Sequence, residues 1–203
     1  PAGDSLRAIS GQNVRDEIYS WPTVNGCRVD QRTADGSWVD SDFFEQNLVN
    51  AYGMDALEHL LYAPASSECP SQVVPISDGS WDALGEAGVA QNRADFALAL
   101  TTGLLDQAEG LRSMWAPDGD NFSGALGAAG DGEPYDSEQV ALNEVFYAMF
   151  YLESVTKDRK LAMPMGLRDC STDLCVDDLE GLKSDSTIDA IIGNLRGFEL
   201  IFT

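Results

Sequence analysis

The sequence predicts an all-α protein, a helix bundle with long loops. Three observations predict it. Five segments carry apolar residues at helical spacing, and no stretch sustains the polar–apolar alternation of a half-buried strand. Loops rich in Gly, Asp and Pro separate the periodic segments. Neither an internal repeat nor a heptad run is present, which points to a bundle rather than a solenoid or coiled coil.

The first helix runs from Leu6 to Tyr19. It stops at Ser20-Trp21-Pro22, because proline disfavours the helical conformation in the residue before it. The second starts after Ser41, reaches Ala63 and is halted by Pro64. The third spans Ser80 to Trp115, and glycines at 85, 88, 103 and 110 mark it for a kink or break. The fourth starts after Asp136 or Ser137 and ends near Thr156. Its apolar residues Leu142, Val145, Phe146, Met149 and Leu152 follow the i, i+3, i+4, i+7 pattern. The fifth, Thr187 to Phe202, has Ser186 as its N-cap. The loops are then 22–40, 64–79, 116–135 and 157–185.

The chain has 203 residues, 44% of them apolar, enough for a real core. Its 34 acidic and 12 basic residues leave a net charge of −22. Such a field repels a phosphate backbone and excludes nucleic acid as a partner; it favours cations or basic proteins. No apolar run is long enough to cross a membrane, and no N-terminal signal is visible. The start at Pro1-Ala2-Gly3 and the apolar ending "GFELIFT" read as a processed chain or a fragment whose sequence once continued.

Cys27, Cys69, Cys170 and Cys175 lie in turn-like sequence beside Gly, Pro, Ser or Asp, not on apolar helical faces. Cys170-x4-Cys175 is not a zinc-knuckle spacing, and no Cys-x2-Cys occurs. The expected pairs are Cys27–Cys69 and Cys170–Cys175, in an oxidising compartment.

Several chemistries are missing. There is no Gly-x-Ser-x-Gly, P-loop, dinucleotide fingerprint or His-Glu-x-x-His. His59 is the only histidine. Asp118-Gly119-Asp120-Asn121-Phe122-Ser123-Gly124 only faintly follows a calcium loop, with Phe122 at a ligand position, and reads as an acidic loop. No catalytic residue is assigned.

"NAYGMDALEHLLYA", residues 50–63, is the informative stretch. On one continuous helix, Asn50, Gly53, Met54, Leu57, Leu60 and Leu61 share a core stripe at 100° per residue. Phe44, Leu48, Ala51, Asp55, Glu58 and Tyr62 share a second, mostly apolar stripe. Glu45, Tyr52, Ala56, His59 and Ala63 fall on the narrow arc left for solvent. Asp55 and Glu58, three residues apart, are the charged exceptions on a semi-buried face. They require a cation: a metal ion, or an arginine in a structural ion-pair network.

Gly53-Met54-Asp55-Ala56-Leu57-Glu58-His59-Leu60-Leu61-Tyr62 resembles the Gly-x-His-x-x-Glu helix of the imelysin-like family. "IYSWPTVNGCRVD", "ALNEVFYAMFYLE" and "NLRGFELIFT" resemble its flanking segments in the same order, over nearly the whole chain. The resemblance implies one imelysin-like domain over residues 1–203, built from helical bundles and incomplete at both ends. Missing segments or a protein partner would then complete the bundle. It also implies a periplasmic or cell-surface protein, often lipid-anchored, from a family named for metallopeptidase activity and associated with iron uptake. The carried-over motif is Gly53, Asp55 and Glu58. Asp55 replaces the family histidine, which moves a site from zinc towards iron or another hard cation bound by oxygen. The expectation is metal association through Asp55 and Glu58 rather than catalysis. The alternatives are a metallopeptidase and an acidic surface module that docks a protein.

Overall fold

The structure is a computed structural model and describes residues 14–40, 42–130 and 135–202. Its described residues contain helices and turns and no strand. The helices are α1 (Val14–Tyr19), α2 (Gly26–Asp35), α3 (Phe43–Gln46), α4 (Met54–Tyr62), α5 (Ser80–Trp115), α6 (Phe122–Gly127), α7 (Glu138–Met149) and α8 (Thr187–Phe202). A π-helical segment, Leu152–Ala162, follows α7. The chain divides into two compact units, one ending at Met114 and the other starting at Trp115.

In the first unit α1 ends ahead of Pro22, as the proline rule requires; the predicted stretch from Leu6 to Asn13 lies outside the described residues. The loop expected over 22–40 is instead mostly α2. Asn25 caps it by accepting from Arg28 N–H at 2.9 Å, and Gly36 closes it in the left-handed region at φ 72°. A Gly- and Asp-rich composition hid a well-capped helix.

The single helix expected from 41 to 63 is also corrected. It is α3, an irregular link, and α4. The Asn47 side chain donates to Phe43 C=O, and Asn47 itself turns extended, which ends α3. Gly53, at φ 97°, starts α4 afresh. A Cβ there would collide with Ser20, so this position needs glycine for both its conformation and its close approach to α1.

α5 matches its predicted bounds and carries one break in its helical geometry, at Gly85. The core gathers Val29 from α2, Trp38, Phe43, Val49, Tyr52, Ala56 and Leu60 from α4, and Phe96, Ala97 and Leu100 from α5. Trp38 stacks on Phe96 with ring centres 5.3 Å apart, and Phe43 meets Phe96 edge-on. Both predicted disulfides are formed; Cys27–Cys69 ties the start of α2 to the loop after α4.

In the second unit Ser137 caps α7, accepting from Val140 N–H. Helix continues beyond the expected end at Thr156 into the π-helical segment, so 157–162 is not loop. Loop 116–135 likewise contains α6, whose Phe122 packs edge-on against Trp115. α8 runs as predicted, and Ser186 C=O accepts from Ala190 N–H. Lys160 and Thr156 reach Asn194 of α8, and Lys160 Nζ pairs with Glu180 at 2.7 Å. Leu142 and Phe146 of the α7 stripe are about half exposed.

Candidate functional site

The broken helix changes the address of every residue around position 59. With α4 restarting at Met54, the wheel drawn from Phe44 loses its phase. His59, Tyr52 and Ala56, expected on the solvent arc, are buried, and His59 is 2% exposed. Met54 and Leu61, expected in the core, are 50% and 58% exposed.

His59 faces Asp30 of α2, which is fully buried. The ring Nε2 lies 2.9 Å from Asp30 Oδ1. Arg93 of α5 donates from Nη2 to the same oxygen at 3.1 Å, and Glu68 N–H donates to Oδ2 at 2.7 Å. Burial pushes the Asp30 carboxyl up. The hydrogen bonds from His59, Glu68 and Arg93 and the charge attraction of His59 outweigh that push and hold it below its ordinary value. Arg93 also donates to Ala63 C=O and Pro64 C=O and lies over the Trp81 ring, so α5 clamps the end of α4.

On the other side of the imidazole, Nδ1 lies 3.6 Å from Glu68 Oε1. The Glu68 side chain rests against Gly26, where a Cβ would run into its carboxylate and come within 2.8 Å of His59 Cε1. Gly26 and Glu68 each precede a cysteine of the Cys27–Cys69 bridge, so the covalent link holds these two walls together.

Asp55 and Glu58 sit in the first two turns of α4, three residues apart and half-buried. The arginine that sequence reasoning offered them as a partner belongs elsewhere if it is Arg93, whose hydrogen bonds go to Asp30, Ala63 and Pro64. Asp30, Arg93 and Glu68 were missed. Their signal was present: Val89, Arg93, Phe96 and Leu100 follow helical spacing, so the arginine interrupts an apolar stripe that is buried throughout.

The family model described as Imelysin, peptidase M75, matches residues 6–203. The chain belongs to the imelysin family. No curated protein and no solved structure matches it. A catalytic zinc, of the kind the family's peptidase name implies, takes three protein ligands and an open position. The described residues of this imelysin bring together no group of three His, Cys, Asp or Glu side chains placed to hold a metal. The three-ligand centre therefore does not fit them.

Proposed function

We propose that this imelysin-family chain is a metal-associated binding component of an oxidising compartment, periplasm or cell surface, and not a peptidase. Asp55 and Glu58 take a hard cation such as iron. One observation carries the reading: the disposition of the chain's soft and borderline donors. All four cysteines are spent in disulfides, and the only histidine has its Nε2 tied to Asp30, which leaves a single nitrogen, Nδ1, away from Asp55 and Glu58. Carboxylates are the abundant donors left, and oxygen donors select hard cations. Gly53 sets the start of α4 and thereby the placement of Asp55 and Glu58 on adjacent turns. A net charge of −22 concentrates cations near the surface. Two closed disulfides support the compartment.

Elemental analysis of protein prepared under iron-replete conditions tests this. Bound metal is expected in the parent chain and reduced in Asp55→Asn and Glu58→Gln. Equal metal content in parent and both variants would remove these residues from the role. Chelator-sensitive cleavage of an unfolded protein after zinc addition would restore the peptidase reading.

A further inference from the structure

The unclaimed chemistry lies on the far side of the His59 ring. Asp30 fixes the tautomer. Nε2 stands 2.9 Å from a carboxylate oxygen that Arg93 and the Glu68 backbone already organise. Two acceptors do not hold that distance, so Nε2 carries the proton. A metal ion takes the place of any proton on Nδ1, which then offers its lone pair. That atom is buried without a hydrogen-bond partner, on a side chain 2% exposed.

It faces Glu68 Oε1, at 3.6 Å. A lone pair opposite a carboxylate oxygen is repulsive unless a cation lies between them. A proton does not bridge the gap well, because N–H···O bonds span roughly 2.7–3.2 Å. A metal does: a nitrogen ligand at ~2.1 Å and an oxygen ligand at ~2.1 Å, separated by a tetrahedral angle, lie about 3.4 Å apart.

We propose that His59 Nδ1 and Glu68 are the protein ligands of a divalent transition-metal ion, with water completing its coordination. This site is separate from Asp55 and Glu58 and does not depend on them. Asp30 orients the imidazole through the other ring nitrogen, the arrangement that metal-bound histidines use. Gly26 provides the space beside both ligands, and Cys27–Cys69 fixes the backbone on either side. The Glu68 side chain is 39% exposed, so an ion enters from solvent while the imidazole stays buried. With one imidazole in the donor set, zinc, nickel or copper is preferred over magnesium or calcium.

A zinc titration of the full disulfide-bonded chain, stripped of metal, tests the site. Calorimetry should give one binding event that excess magnesium does not abolish. Because His59 is the only histidine, an imidazole ¹⁵N spectrum reports on this ring alone, and its Nδ1 signal should move with zinc. Glu68→Gln, at a partly exposed position, should weaken binding roughly tenfold or more while the circular dichroism stays unchanged. His59→Gln should abolish the event; if that variant fails to fold, Glu68→Gln and the ¹⁵N spectrum still decide. Asp55→Asn with Glu58→Gln should leave the isotherm unchanged, which separates this site from the hard-cation reading. An unmoved Nδ1 signal at millimolar zinc, or undiminished affinity in Glu68→Gln, overturns the proposal.

Discussion

Arg93 Nη2 and Asp30 Oδ1 lie 3.1 Å apart in a buried ion pair that joins α5 to α2. His59 completes it from α4, so one carboxylate organises three helices. Breaking a buried pair by removing one partner strands the other charge away from water.

Asp30→Asn should therefore destabilise the first unit by about 3 kcal/mol or more, since Arg93 is left buried beside a neutral amide. Urea denaturation followed by tryptophan fluorescence measures it. Adding Arg93→Met should recover part of the loss, because the stranded charge is then gone. A loss below about 1 kcal/mol, the range of exposed pairs, would show that water reaches the cluster.

The two disulfides should contribute unequally. Cys27–Cys69 closes a sequence separation of 42, and Cys170–Cys175 one of 5. The chain-entropy relation gives about 4 kcal/mol for the first and about 2 kcal/mol for the second. Pairwise Cys→Ala variants, compared by denaturant midpoint, check the ranking. The first pair should also lose zinc affinity, because Glu68 is no longer tethered beside Gly26. A second-pair variant as damaging as the first would contradict the loop-length account.

Gly53→Ala should destabilise by at least about 1–3 kcal/mol, the range for a residue forced into a sparsely populated backbone region. The added methyl also meets Ser20. Gly79→Ala is the control, since that position shares a positive φ but has nothing near its would-be Cβ. The denaturant midpoint should fall further for Gly53→Ala. Equal losses would reduce the role of Gly53 to backbone freedom alone.

How far the sequence was legible follows from which signals are local. α5 and α8 announced themselves through long periodic runs, and both disulfides through the turn chemistry around their cysteines. α2 was legible too, in Asn25 and Gly36, but only to a reading that weighed caps above composition. The break before Met54 was not, because a glycine in a periodic run is compatible with a continuing helix. That one uncertainty sent His59 to the wrong face: a wheel is only as good as the continuity it assumes. The Asp30–His59–Arg93 cluster joins residues up to 63 positions apart, and no local pattern encodes that partnership.

In the second unit, Lys160 and Glu180 form a buried pair, 2.7 Å apart, between the π-helical segment and the turn before α8. Burial pushes the lysine down to about 8 and the glutamate up to about 7. The sign follows from proton counts. Between pH 4.5 and about 7 the folded chain holds a proton on Glu180 that the unfolded chain releases, so stability falls as pH rises. Between about 8 and 10.5 the unfolded chain holds the extra proton on lysine, so stability rises again. From this pair the unit should be least stable between about pH 7 and 8. Hydrogen exchange of amides in Leu152–Ala162, corrected for intrinsic rates, should show protection falling from pH 5 to 7. Glu180→Gln should flatten that decline. Lys160→Met alone should lower protection, and Lys160→Met with Glu180→Leu should restore much of it, because an apolar pair of similar volume avoids the desolvation of both charges. Protection that rises steadily from pH 5 to 7 in the parent chain would mean that the ion pair outweighs its burial.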